Sequence, residues 1–411
     1  MTKATQKLRL GPLPIPLHLT AVAMLSTSCS VAWPHLKNGW MPWSQSLSKQ
    51  GSALKKDLQN VNPDDFATAL ADELAGQHAK FLTGLETYRS HPFHRDISPP
   101  PAIWQDGPTQ LLDYGTTAPA GQEGRPVLVV PSLVNRSYIL DLAQNHSFLR
   151  LMASQGLRPL LIDWGVPGPA ELGRSLTDYI SGDIANALNV TVEVAKGEPV
   201  PVIGYCMGGT LATALAVLAP NKISALILLA APWDFHIETN GPPVAVNAGR
   251  AVIEQLISNE GCLPVDALQS MFFSLDPLQG WTKFQAFAEM PPDSSATDSF
   301  VVLEDWLNDG VPLAAEVARE CLFGWYGENR PANVTWEVSG QIIDPARIDC
   351  PTLGIIPSQD RIVPPASAQA LIDIIPSATS LSPKAGHIGM MTGRHAVTQL
   401  WKPVTDWIKS F

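Results

Sequence analysis

Charge is scarce in this chain. Only 16% of its 411 residues are Asp, Glu, Lys or Arg, against about 25% in an average soluble protein. The 27 Lys and Arg are outnumbered by 38 Asp and Glu, and they form no basic run. Nucleic-acid binding therefore has no electrostatic footprint here. Long apolar runs are missing too. Nowhere do about 18 apolar residues follow one another, as a membrane-spanning helix requires. Cysteine is sparse and badly placed for cross-linking. The five (Cys29, Cys206, Cys262, Cys321 and Cys350) are odd in number and scattered, with no C-x-x-C pair. That argues against a zinc knuckle or a disulfide framework and for reduced, buried small hydrophobes. No G-x-G-x-x-G fingerprint with an acidic residue about 20 positions on is present, so no dinucleotide cofactor is indicated. No metal is implied either.

What is present is apolar. A hydrophobic fraction of 45% supports a sizeable core, and the 37 prolines gather in loops. Lys3, Lys7 and Arg9 ahead of an apolar stretch imitate a secretion signal, but Pro12, Pro14, Pro16 and His18 interrupt it. The favoured reading is a helix lying on the protein body or on a partner. Residues 1 to about 60 read as an irregular leader with one short helix. Asn62 as N-cap, Pro63 at the first helical position and Asp64 and Asp65 in the first turn then open a long helix. Its apolar positions run from Phe66 to Tyr88. The stretch "ISPPPAIWQDGPTQLLDYG" reads as loop and one short strand.

From residue 126 strands alternate with helices. The apolar runs 126–133, 157–165, 199–206, 223–235 and 350–360 suit buried parallel strands, and helical patterns lie between most of them. This βαβ series predicts an α/β architecture with a doubly wound, mostly parallel sheet. Residues 236–345 break the alternation. They are rich in Trp and Phe, mostly helical in pattern, and read as a cap over the carboxyl ends of the strands, where ligands bind. The predicted organisation is a leader and helical region at 1–110, a catalytic core at 111–235 and 346–411, and a cap insertion at 236–345.

One stretch carries chemistry. In "VIGYCMGGTLATAL" a strand meets a helix at G-x-C-x-G, with Gly204, Cys206 and Gly208. This is the frame of a nucleophile elbow, in which paired glycines permit the sharp turn and the helix N-terminus favours a thiolate and an oxyanion. A thiol nucleophile needs a base and a group that orients the base. Asp360, ending a strand, and His387, in "KAGHIGMM", follow in the expected chain order. Asp234 is a rival acid, and His236 and His395 are rival bases. Backbone N–H groups of Met207 and Val134 are the candidate oxyanion donors.

At these residues the chain resembles the polyhydroxyalkanoate synthase family, enzymes of the α/β-hydrolase fold. The resemblance runs over 125–407. It is carried by "NRSYILDL", "DWGVPG", "GYCMGGTLA", "FVVLEDWLNDG", "GENR", "SQDRIVPPASA" and "AGHIGMM". It implies an acyltransferase that polymerises 3-hydroxyacyl-CoA through a cysteine thioester, with Cys206, Asp360 and His387 as its triad. The CoA thioester would be substrate, with no further cofactor. Implied partners are the growing polyester chain and either a second copy or a second synthase subunit, in the cytoplasm or on polymer granules. Two other readings stay open: a cysteine hydrolase (a thioesterase or polyester depolymerase), and a non-catalytic granule protein.

Overall fold

A computed structural model describes residues 9–119, 124–237 and 244–411. Lys3 and Lys7 of the signal-like leader, and the stretch 238–243 near the start of the predicted cap, lie outside the described residues. Contacts divide the chain into two units, Met1–His94 with Gln269–Asn308, and Arg95–Leu268 with Asp309–Phe411. The predicted insertion thus contributes to both.

The first unit is helical. It holds α1 (Ile15–Val31), α2 (Trp33–Asn38), α3 (Ser48–Asp57) and α4 (Pro63–Ser90), with helices Gln279–Ala288 and Ser295–Leu307. The leader is more ordered than the sequence reading held, because its prolines start a helix instead of breaking one. Pro14 caps α1 and Pro16 sits in its first turn, where no N–H partner is lost. Asn62 caps α4 as expected, its side chain accepting from the Asp64 N–H at 2.8 Å. The core of this unit joins Val22, Phe81, Leu85 and Tyr88 to Phe284, Phe287 and Val301.

The second unit is built on one eight-stranded sheet. Its strands are β1 (Ala102–Asp106), β2 (Thr109–Asp113), β3 (Arg125–Val130), β4 (Leu157–Asp163), β5 (Val200–Tyr205), β6 (Ile223–Leu229), β7 (Thr352–Ile355) and β8 (Ala378–Leu381). Their order is β1-β2-β4-β3-β5-β6-β7-β8. From β4 to β8 all pairs are parallel, and β1 and β2 are antiparallel additions at one edge. The sequence reading gave this edge one strand. It is a hairpin, because Gly107 takes a positive φ of 56° and turns the chain just before Pro108. The central strands are continuous apolar runs because both sheet faces are covered. Val127 to Val130, Val202, Ile203 and Leu226 to Leu229 are all buried. Helices α5 (Phe148–Ser154), α6 (Ala185–Val194), α7 (Met207–Leu218), α8 (Pro365–Ile374) and α9 (Lys402–Lys409) accompany the strands.

Candidate active site

Strand β5 ends at Tyr205 and α7 begins at Met207, so Cys206 alone makes the turn between them. Its backbone sits at φ 55° and ψ −127°, a conformation that costs a non-glycine residue about 1–3 kcal/mol. The turn is held from both sides. The Cys206 N–H donates to the Leu229 carbonyl at the end of β6, and its own carbonyl accepts from the Gly209 N–H, both at 2.8 Å. The flanking glycines are required by close approach. A Cβ on Gly204 would lie 2.5 Å from the Gly209 Cα, and one on Gly208 would enter the carbonyls of Val130 and Pro131. The sequence therefore spends glycine where the helix must touch the ends of β5 and β3. The outcome is a half-buried thiol beside the first turn of α7, where backbone N–H groups have no intrahelical partner.

The other two candidates come from loops beyond β7 and β8. Asp360 is buried, and its Oδ1 accepts from the N–H groups of Ile362 and Val363, each at 2.9 Å. Its Oδ2 faces His387 Nδ1 at 2.7 Å. Cys206 lies close enough to the His387 ring to act on its protonation. A hydrogen-bonded carboxylate and imidazole thus stand beside the thiol. Burial opposes a charge on His387, but the charge of Cys206 and the hydrogen bond to Asp360 outweigh it. Together they raise the imidazole to about 10. With Nδ1 committed to the carboxylate, the remaining ring nitrogen is the one available to the thiol.

The rival residues serve elsewhere. Asp234 Oδ1 accepts from the His236 N–H and from Asn329 Nδ2, both at 2.9 Å, and Asn329 Oδ1 accepts from the Phe235 N–H at 3.0 Å. These bonds tie the loop after β6 to the segment around Asn329. His236 Nε2 lies 2.8 Å from the Tyr326 carbonyl. His395 is exposed and receives Arg394 Nε at 2.9 Å.

Of the two backbone positions, Met207 opens α7. Val134 lies in the loop after β3, with its N–H on Ser132 Oγ at 3.1 Å. Trp164 Nε1 donates to the Pro131 carbonyl at 3.2 Å and steadies that loop. Two neighbours escaped the sequence reading. The Tyr205 ring stacks on His387 with centroids 5.5 Å apart and planes 29° apart, and Tyr326 lies near enough to Cys206 to feel its charge. Adjacency to the cysteine was the only signal for Tyr205, and none pointed to Tyr326. Among the described residues no cluster of three His, Cys, Asp or Glu side chains could hold a metal. No described helix is long and apolar enough to cross a membrane.

Residues 125–394 match the model of the alpha/beta hydrolase fold family, and residues 95–152 match that of the poly-beta-hydroxybutyrate polymerase N-terminus. Curated relatives are named poly(3-hydroxyalkanoate) polymerase subunit PhaC. The protein of Haloferax mediterranei is 29% identical over 75% of this chain and 63% of its own length. That of Thiocystis violacea is 28% identical over 85% of this chain and 98% of its own length. That of Synechocystis is 29% identical over 80% and 90%. Among solved structures, a thermophilic esterase from Thermogutta terrifontis aligns with 76% of this chain and 98% of its own, at a TM-score of 0.46 and 17% identity.

Proposed function

The chain belongs to the polyhydroxyalkanoate synthases of the α/β-hydrolase superfamily, and from that membership we propose that it polymerises 3-hydroxyacyl-CoA through a covalent thioester on Cys206. His387 takes the proton of the Cys206 thiol, and the sulfur attacks the thioester carbonyl of the substrate. Asp360 fixes the ring tautomer and stabilises the imidazolium, as in other nucleophile–His–Asp arrangements. The Met207 N–H, together with that of Val134 once it leaves Ser132 Oγ, receives the developing oxyanion. CoA leaves as a thiol with the proton returned by His387. The hydroxyl at the end of a growing polyester then attacks the acyl-enzyme, again with His387 as base, and the chain lengthens by one unit.

The observation that carries this reading is a thiol, not a hydroxyl, on the strained elbow beside a His–Asp pair. Transfer from CoA to Cys206 exchanges one thioester for another, so the acyl-enzyme stays activated for attack by an alcohol. A serine there would form an oxoester and lose that driving force. The reaction consumes the CoA thioester itself and calls on no further cofactor. The partners that follow are the acyl-CoA and the polyester, with a second copy or a second synthase subunit. The location that follows is the cytoplasm, where acyl-CoA is available, at the surface of the polymer. Incubating the purified protein with 3-hydroxybutyryl-CoA, with and without a second subunit, tests the proposal. CoA release matched by polymer supports it. CoA release with free hydroxy acid and no polymer makes the protein a thioesterase.

A further inference from the structure

The charge of this protein is unevenly spread. Residues 1–60 hold seven of the 27 Lys and Arg but only one of the 38 Asp and Glu, a formal net of +6, which leaves −17 on the other 351 residues. The same segment exposes apolar side chains. Helix α1 has no charged residue between Ile15 and Val31, and Val22 alone of its 17 residues is fully buried. A hydrogen bond of 2.9 Å between Ser26 Oγ and His78 Nε2 fixes one side of α1 on α4. The opposite side presents Met24 and Val31 to solvent, 65% and 66% exposed, and Leu19 and Ala23 are exposed at the margin. An outward helix face is ordinarily the charged one. Beyond it Trp40 is 68% exposed, and Trp43 and Leu47 are exposed as well. Lys49, Lys55 and Lys56 stand exposed nearby in sequence, and none of them has a carboxylate partner among the described residues.

Exposed tryptophan, an uncharged helix face and unpaired lysines make up the composition of a surface that lies in a lipid headgroup layer. We propose that residues 15–56 form an interfacial docking surface for an anionic lipid layer, with α1, Trp40 and Trp43 entering the acyl boundary and Lys49, Lys55 and Lys56 meeting the headgroups. Charge complementarity selects this occupant. An anionic layer attracts a segment in which Lys49, Lys55 and Lys56 are exposed and Asp57 is the one acidic residue. Each lysine near such a surface contributes about 1 kcal/mol of attraction, within a Debye length. The inference does not depend on the role of Cys206.

The test uses the full-length protein with two vesicle preparations, pure phosphatidylcholine and phosphatidylcholine mixed with phosphatidylglycerol. Co-sedimentation and the blue shift of tryptophan fluorescence report binding. The wild type is expected to bind the mixed vesicles and not the neutral ones, and to be released on raising salt from about 0.1 M to about 1 M. The pair Met24→Ser with Trp40→Ser, and the triple Lys49→Glu, Lys55→Glu and Lys56→Glu, should each weaken binding at least tenfold. All of these side chains are solvent-exposed, so the far-UV circular dichroism and the thermal midpoint in vesicle-free buffer should stay at the wild-type values and report an intact fold. Equal binding to both vesicles, no binding to either, or unchanged binding by both variants overturns the proposal. Sedimentation velocity without vesicles supplies the remaining outcome. A wild-type dimer that the Met24→Ser, Trp40→Ser variant converts to monomer, with no vesicle binding, gives the face to a second copy and overturns the lipid assignment.

Discussion

Cys206 presents its sulfur from a backbone conformation that few non-glycine residues adopt, and everything chemical about the site depends on that position. Removing the sulfur tests the role directly. Cys206→Ala should reduce CoA release from 3-hydroxybutyryl-CoA at least about 10⁴-fold, the order lost when a member of such a catalytic unit is deleted. Retention of full activity by this variant would sink the covalent mechanism. A second prediction concerns His387, whose raised pKa comes from its neighbours against the opposing effect of burial. Cys206→Ala removes the charge of the thiol and leaves the burial. The sign is therefore downward: the imidazole pKa should fall below the wild-type value. An NMR titration of the ring nitrogens measures it, and an unchanged value would mean that the thiol does not hold the proton on His387. The three triad candidates were legible in the sequence because Cys206 directly follows β5 and Asp360 and His387 follow in the loops after β7 and β8, in the order the fold demands. Tyr205 and Tyr326 were not, because stacking on an imidazole or proximity to a thiol is a property of packing that no spacing encodes.

At the scale of elements, the apolar runs marked the buried strands, and the glycines of "GYCMGG" marked the place where α7 meets the ends of β5 and β3. What misled was proline. Read along the chain, Pro12, Pro14 and Pro16 are breakers, yet a proline at a helix start sacrifices no hydrogen bond, and α1 begins there. The hairpin of β1 and β2 was hidden for a related reason. Its first strand is mostly exposed and carries no apolar run, and its partner pairs antiparallel with β4 at the sheet edge. The glycines themselves afford a paired prediction. Gly208→Ala sets a Cβ against the fixed carbonyls of Val130 and Pro131 and should destabilise by about 2–3 kcal/mol. Gly182→Ala, in the π-helical turn Tyr179–Ile184, meets nothing within 4 Å. It should be neutral or stabilise by up to about 1 kcal/mol. Urea denaturation midpoints of the two variants provide the comparison, and equal effects would refute the close-approach argument.

For the molecule as a whole, the least legible fact was how the chain is divided. Residues 269–308 sit inside the predicted insertion, yet they pack with the N-terminal helices into a unit of their own. The reason is a set of contacts across nearly 300 positions. Arg9 Nε meets Asp305 Oδ1 at 2.7 Å and its Nη2 meets Oδ2 at 3.0 Å, while the same guanidinium donates to the carbonyls of His91 and Phe93. Tyr88 donates its hydroxyl to Asp305 at 3.0 Å. Sequence patterns report local periodicity and cannot report a pair 296 residues apart. The Arg9 side chain is only 6% exposed, so its removal leaves Asp305 and two carbonyls without their cation. Breaking a buried pair in this way costs about 3–5 kcal/mol, here discounted because Asp305 is 29% exposed. Arg9→Ala should therefore loosen the helical unit and spare the sheet. Hydrogen exchange resolves the two. Amides of Phe81–Tyr88 and of the helices Gln279–Ala288 and Ser295–Leu307 should exchange faster in the variant, while those of β3 to β7 keep wild-type protection. Uniform acceleration across both sets would mean that the chain opens as one cooperative body, and the division by contacts would carry no energetic meaning.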